Sequence, residues 1–210
     1  KYKVLILDFD GVIKESVEVK DDAYVSIFEN IENNIKVKIS KHHLGNGGVS
    51  RYEKVPLYLG WSGLRVDKKT ISHYLDKFSN AVFRGVINSA WVKGFPEFIV
   101  HATKSVPVYI ATATPTEEMN RILKELKSER LFKGVYGAPE SKSKIIDKII
   151  FKEACLPSDV LFIGDSLSDY AASDTCTVDF ILRRTPFNLE ILDVKYEIRD
   201  FEDESIRISN

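Results

Sequence analysis

Four aliphatic residues, Val4-Leu5-Ile6-Leu7, run straight into Asp8-Phe9-Asp10-Gly11-Val12, and this junction limits the architectures open to the chain. The run is short, aliphatic throughout and closely followed by glycine, which predicts a strand buried on both faces of a parallel sheet. Its two carboxylates then stand at the carboxyl edge, where open α/β sheets bind ligands. A carboxylate on rigid backbone at that edge can attack phosphorus to give an aspartyl-phosphate. A second, one step further into the loop, can protonate a leaving oxygen and later deprotonate a water. Gly11 would let the chain turn sharply away. Taken alone, Asp-x-Asp-Gly also fits a surface turn, because Asp and Gly are common turn residues.

A second junction of the same kind shifts that balance. Val160-Leu161-Phe162-Ile163 enters Gly164-Asp165-Ser166-Leu167-Ser168-Asp169, again an apolar run, a glycine and then acids. Asp165 and Asp169 lie four apart and can converge near the N-terminus of a helix that begins between them. Acids gathered from two strand ends repel one another unless a cation lies among them. Mg²⁺ is held in this way, through a few carboxylates and a substrate phosphate.

These residues resemble those of the haloacid dehalogenase-like hydrolases, most of which are Mg²⁺-dependent phosphatases, and the resemblance covers most of the chain. The first family motif is matched by Asp8 to Val12, with Glu15-Ser16 following. The second, a Thr or Ser ending a hydrophobic strand, is matched by Thr112 after Val106-Pro107-Val108-Tyr109-Ile110-Ala111. The third, a Lys near a later helix start, is matched by Lys142 or Lys144, and the fourth by Gly164 to Asp169. The resemblance implies Asp8 as nucleophile, Asp10 as general acid and base, and Thr112 and Lys142 on the phosphoryl oxygens. It implies Mg²⁺ held by Asp8, Asp165, Asp169 and the backbone carbonyl of Asp10. Ser143 stands where relatives often have Pro, and Ala113 where they often have a polar residue.

The spacing of apolar residues divides the chain. From about Lys14 to Ala90 the pattern is helical: Tyr24, Ile27, Phe28 and Ile31 form one stripe, and Ile71, Tyr74, Leu75 and Phe78 another. Hairpins with facing stripes bury each other. From Trp91 onward strand-like and helix-like segments alternate, which argues for right-handed β-α-β units. The expectation is an α/β fold with a parallel, Rossmann-like sheet core, residues 1–13 and 91–210, interrupted by a helical insert, residues 14–90. In the resemblance that insert is the α-helical cap that closes over the site.

Thr114-Pro115-Thr116-Glu117 reads as a capping box with Pro at the first helical position, ahead of an apolar stripe of Met119, Ile122, Leu123 and Leu126. Such a helix would aim its N–H groups at the sheet edge and favour an anion there. Between the two lysines, Lys142 precedes Ile145, Ile146, Ile149 and Ile150, whose spacing leaves Lys144 inside the helix body. Within the insert, Gly45-Asn46-Gly47-Gly48-Val49 leads into Ser50-Arg51-Tyr52-Glu53-Lys54, a glycine-rich loop entering a Ser-x-x-Glu capping box. Gly48, Ser50, Arg51 and Lys54 are therefore candidate substrate contacts, with Arg51 or Lys54 pairing an anionic group. A tight interhelical turn accounts for the glycines equally well.

Composition adds exclusions. With 30 basic and 31 acidic side chains among 210 residues, the chain offers no general attraction for nucleic acid or an anionic membrane. No apolar stretch approaches the ~20 residues a membrane span needs, and no signal-peptide pattern appears. Cys155 and Cys176 lack metal-ligand spacing and fit small buried residues of a reduced cytoplasmic protein. His42, His43, His73 and His101 show no zinc spacing. The expected function is Mg²⁺-dependent hydrolysis of a small phosphomonoester, such as a sugar phosphate or phosphoglycolate, by a monomer or small homo-oligomer. A phosphosugar mutase on the same core, or a binding protein that keeps the fold without turnover, are the alternatives.

Overall fold

The computed structural model describes residues 2–192 and 194–203. A six-stranded sheet, parallel throughout, is formed by β1 (Val4–Leu7), β2 (Val108–Pro115), β3 (Gly134–Ala138), β4 (Val160–Gly164), β5 (Asp179–Arg183) and β6 (Glu197–Ile198) in the order β3-β2-β1-β4-β5-β6. Eight helices accompany it: α1 (Val17–Ile27), α2 (Asn33–Leu44), α3 (Arg51–Trp61), α4 (Lys68–Asn88), α5 (Phe95–Ser105), α6 (Thr116–Glu125), α7 (Lys142–Glu153) and α8 (Leu167–Cys176). Among the described residues no helix is long and apolar enough to cross a membrane.

The aliphatic run behaves as its composition requires. Leu5 and Leu7 point into a core shared with Val108, Ile110, Ile99, Met119 and Ile122. Val4 and Ile6, alternating with them, point into a second core with Ile145, Ile146, Ile149 and Phe162. Both faces of the central strand are thus dry. The chain first builds outward from β1 through β2 to β3, then crosses back to β4 and builds outward the other way. That reversal puts a crevice at the carboxyl ends of β1 and β4, the position where such sheets bind ligands.

Helices α1 to α4 follow one another between β1 and α5. Their stripes meet in an aromatic cluster, with Tyr24 stacked on Phe78 at 4.0 Å and Phe28 stacked on Tyr74 at 4.9 Å. The first stripe is shorter than its spacing suggests, because α1 ends at Ile27 and Ile31 lies beyond it. Outgoing and returning chain are joined where Glu15 N donates to Ala90 O at 2.9 Å and Val92 N to Ile13 O at 3.0 Å. Lys14 is buried there, its Nζ 3.1 Å from Ile87 O and over the Trp91 ring.

The expected helix start at Thr114 is corrected. Strand β2 continues through Pro115, which pairs with Ala138, and α6 begins at Thr116. The Thr116 hydroxyl accepts a hydrogen bond from Gly137 N at 2.9 Å, so pairing with β3 overrides the local capping pattern, and Thr114 is left to face the crevice.

Candidate active site

Asp8 follows the last residue of β1, and its N–H donates to Ile163 O of β4 at 2.9 Å. The buried carboxylate accepts from Phe9 N at 2.6 Å and from Lys142 Nζ at 2.7 Å. Lys142 is the first residue of α7, and its ammonium also bonds Asp169. Lys144, two residues further on and so about half a turn round the helix, is exposed. Of the two lysines the sequence offered, Lys142 alone reaches the acids.

Asp169 lies in the first turn of α8. Its carboxylate accepts from Ser166 N at 3.1 Å while the Ser166 side chain accepts from Asp169 N, a reciprocal cap. Asp165 is anchored through its carbonyl, which accepts from Asn188 Nδ2 at 2.6 Å. Two glycines allow the acids to crowd. Gly11, at φ +75°, lies where a Cβ would come within 2.0 Å of the Asp165 carboxylate, and a Cβ on Gly164 would fall 2.3 Å from that of Asp169. Both positions exclude any side chain.

One carboxylate oxygen from each of Asp8, Asp165 and Asp169 lies within 4.8 Å of the others. Burial, together with repulsion from Asp169 and Asp10, pushes Asp8 up to about 7, against the pull of Lys142. Burial, then repulsion from Asp8 and Asp169, holds Asp165 well above the usual carboxylate range. Burial would lower Lys142, but Asp169 and Asp8 more than reverse that and raise it. An all-oxygen cluster in which Asp8 and Asp165 resist ionising suits a hard divalent cation, which would favour the charged form of both. Mg²⁺ therefore fits this donor set.

The Asp10 carboxylate stands outside that cluster. It accepts from Ser16 Oγ at 2.6 Å and from Lys20 Nζ of α1, and the same ammonium donates to Thr114 Oγ1 at 2.8 Å. Thr112 is buried, with its hydroxyl accepting from Thr114 N at 3.1 Å. Lys20 is a site residue that sequence reasoning missed; its place one helical turn after Ser16 was the available signal. Arg183 was missed as well. It donates to Gly11 O at 3.2 Å and grips Glu15, fixing the loop after β1.

The four candidate substrate contacts separate. Gly48 packs on the start of α8, where a Cβ would fall 1.7 Å from Ser168 Oγ. Ser50 caps α3, its hydroxyl accepting from Tyr52 N at 3.3 Å, without the reciprocal bond from Glu53 that the sequence pattern suggests. Gly48 and Ser50 line a cleft of about 330 Å³ with Thr112, Pro139, Lys142 and Ser168. Arg51 does not face it, contrary to expectation. Its guanidinium forms a two-pronged ion pair with Glu118 of α6, bonds Ser79 at 2.7 Å and lies over Phe78. Lys54 is buried beside His43, with Nζ 2.9 Å from Nδ1.

A parallel sheet that gathers acids from two strand ends around one lysine places the chain in the α/β class, with its candidate site at the carboxyl edge of the sheet. The family model for haloacid dehalogenase-like hydrolases matches residues 5–182, and the chain belongs to that family. Among solved structures it is similar to a CbbY variant from Rhodobacter sphaeroides in complex with xylulose-(1,5)bisphosphate, at 12% identity and a TM-score of 0.80, over 97% of this chain and 96% of that one. It is similar to a predicted phosphoglycolate phosphatase from Haemophilus somnus, at 16% identity and a TM-score of 0.77, over 96% of each chain. It is also similar to the HAD-type protein YfnB from Bacillus subtilis bound to magnesium, at 17% identity and a TM-score of 0.73, over 96% of each. At these identities the likeness is one of fold. No curated protein is similar enough in sequence to match the chain.

Proposed function

We propose that this protein is a phosphatase that hydrolyses small phosphomonoesters through an aspartyl-phosphate on Asp8. The observation that carries the reading is the position of Asp8, buried at the end of the central strand, bonded to Lys142 and beside Asp165 and Asp169. The solved relatives that bind a sugar bisphosphate or are described as phosphoglycolate phosphatase support a substrate of this size, as does the volume of the cleft.

In the first step a carboxylate oxygen of Asp8 attacks phosphorus. The ester P–O bond breaks with its electron pair passing to the leaving oxygen, which takes a proton from Asp10. In the second, a water gives its proton to Asp10 and attacks phosphorus, and the bond to Asp8 breaks to restore the carboxylate. Thr112 donates its hydroxyl to one phosphoryl oxygen, and Lys142 keeps Asp8 oriented and offsets developing charge. Asp8, Asp165, Asp169 and the Asp10 carbonyl would hold Mg²⁺, whose chemistry there is to neutralise phosphoryl and carboxylate oxygens. Residues 14–90 act as the cap, because α1 carries Lys20 to Asp10 and the loop at Gly48 covers the start of α8.

The test is release of inorganic phosphate from p-nitrophenyl phosphate with Mg²⁺ present. Asp8→Asn, which keeps the volume and removes the nucleophile, should abolish turnover with the circular dichroism spectrum unchanged. Near wild-type turnover by Asp8→Asn would rule the aspartyl-phosphate out.

A further inference from the structure

The two loops that carry the acids touch each other, and one turn grips both. A Cβ on Gly11, in the loop after β1, would fall 2.0 Å from Asp165 Oδ2, in the loop after β4. Each loop is held through a backbone carbonyl by a residue at or just past the end of β5. Arg183, the last residue of β5, donates to Gly11 O at 3.2 Å, and Asn188 donates through Nδ2 to Asp165 O at 2.6 Å. The two grips are joined, because Asn188 Nδ2 also donates to Arg183 O at 2.8 Å. Both residues are buried.

The Asn188 amide is committed on both sides. Its nitrogen serves the carbonyls of Asp165 and Arg183, and its oxygen accepts from Thr185 N at 2.9 Å. Acceptors on one side and an N–H donor on the other leave a single orientation for the amide. The turn is tied down from outside as well. Arg184 Nη1 donates to Asn188 O and to Ile191 O, both at 2.8 Å, while Arg184 N donates to Ile198 O of β6 at 2.7 Å.

We propose that Asn188 and Arg183 are positioning residues for the cation site, holding its ligands at the spacing of a small divalent ion and so favouring Mg²⁺ over Ca²⁺. This rests on the phosphatase reading, in which Asp8, Asp165, Asp169 and the Asp10 carbonyl hold the ion. Arg183 fixes the residue that follows the Asp10 carbonyl, and Asn188 fixes the backbone of Asp165, so one turn sets a ligand in each loop. Mg²⁺ demands near-ideal octahedral geometry at about 2.0–2.1 Å, whereas Ca²⁺ accepts looser arrangements at about 2.3–2.6 Å. Loops free to part would therefore lose the smaller ion first. Residues that orient metal ligands from behind typically change metal affinity about 10–100-fold when replaced.

The experiment is calorimetric titration of the metal-free protein with MgCl2 and, separately, with CaCl2. Asn188→Leu keeps a similar volume and removes both donors. It should weaken Mg²⁺ about tenfold or more and Ca²⁺ by less than about threefold, so that the preference for Mg²⁺ falls. Arg183→Met releases Gly11 O instead and should move the ratio the same way, which keeps the test open if one variant does not fold. Losing that positive charge acts on both divalent ions alike, so the ratio is the readout. Phosphate release at saturating Mg²⁺ should fall much less than Mg²⁺ affinity does. Equal weakening of both ions would overturn the proposal, as would unchanged affinities with only a lower melting temperature, since a merely structural turn does either. So would a wild type that binds neither ion, or both equally. Selective Mg²⁺ binding that the variants lose, in a protein that hydrolyses no p-nitrophenyl phosphate, would uphold the positioning role and count against the phosphatase reading alone.

Discussion

Arg51 of α3 and Glu118 of α6 face each other as a buried, two-pronged ion pair, with nitrogen to oxygen distances of 2.7 and 2.8 Å. The helices before the returning chain at Trp91 are thereby fastened to a helix that flanks β2 and β3. Removing one partner strands the other charge away from water, which costs about 3–5 kcal/mol. Arg51→Ala should therefore lower the urea midpoint substantially, and Arg51→Met with Glu118→Leu should recover much of the loss. A variant that kept its stability and raised KM for substrate would return Arg51 to the role of a ligand contact.

That pair also marks where sequence reading ran out. The acids at Asp8, Asp10, Asp165 and Asp169 were legible because each follows a short apolar run, and a buried strand fixes where its end must lie. Lys142 was legible because the isoleucines after it set the helical phase. Arg51 was assigned to a ligand because its partner is 67 residues away in sequence, and nothing local says that Glu118 turns inward. Lys20 is the one lysine of α1, with nothing local to single it out, and only the fold brings it to Asp10. The start of α6 was misplaced because Thr114-Pro115 satisfies capping chemistry, while strand pairing with Ala138 is a tertiary contact.

Lys142 and Lys144 should separate cleanly in kinetics. Lys142→Ala removes the ammonium that bridges Asp8 and Asp169, and turnover should fall on the order of 10²-fold or more. Lys144→Ala alters an exposed side chain and should leave turnover within about twofold. Steady-state rates with p-nitrophenyl phosphate decide between them, and the reverse ranking would place the phosphoryl-stabilising charge elsewhere.

Lys20 and Ser16 hold the Asp10 carboxylate, and that role has a chemical signature. An aryl leaving group departs as a stable anion and needs little proton transfer, whereas an alkyl leaving group needs a well-placed acid. Lys20→Met should therefore slow hydrolysis of an alkyl phosphate by about tenfold or more while affecting p-nitrophenyl phosphate much less. Equal slowing of both esters would mean that Lys20 acts on phosphate binding rather than through Asp10.

Mg²⁺ should stabilise the folded chain through the acid cluster. Asp8 and Asp165 are raised by burial and mutual repulsion, so a bound divalent cation relieves a cost that the folded state otherwise carries. Millimolar Mg²⁺ should raise the melting temperature, chelation should reverse the rise, and Asp165→Asn should remove most of it. A magnesium-independent melting temperature in the wild type would argue that the three carboxylates do not hold the ion.

Lys54 gives a pH dependence whose sign follows from its lowered value. In the unfolded chain it takes up its proton near 10.5, and in the folded chain near 7. Between those values the unfolded state binds more protons, so stability from this group is fully present above 10.5 and is lost as pH falls through about 7. Lys54→Met removes the penalty of charging a buried amine. Relative to the wild type it should be most stabilising at pH 6, with the gain shrinking steadily as pH rises toward 10. Urea unfolding of both proteins at pH 6, 8 and 9.5 measures the difference directly. A gain independent of pH would show that the methionine merely packs better, and a loss at pH 6 would show that the ammonium has an anionic partner in the folded protein.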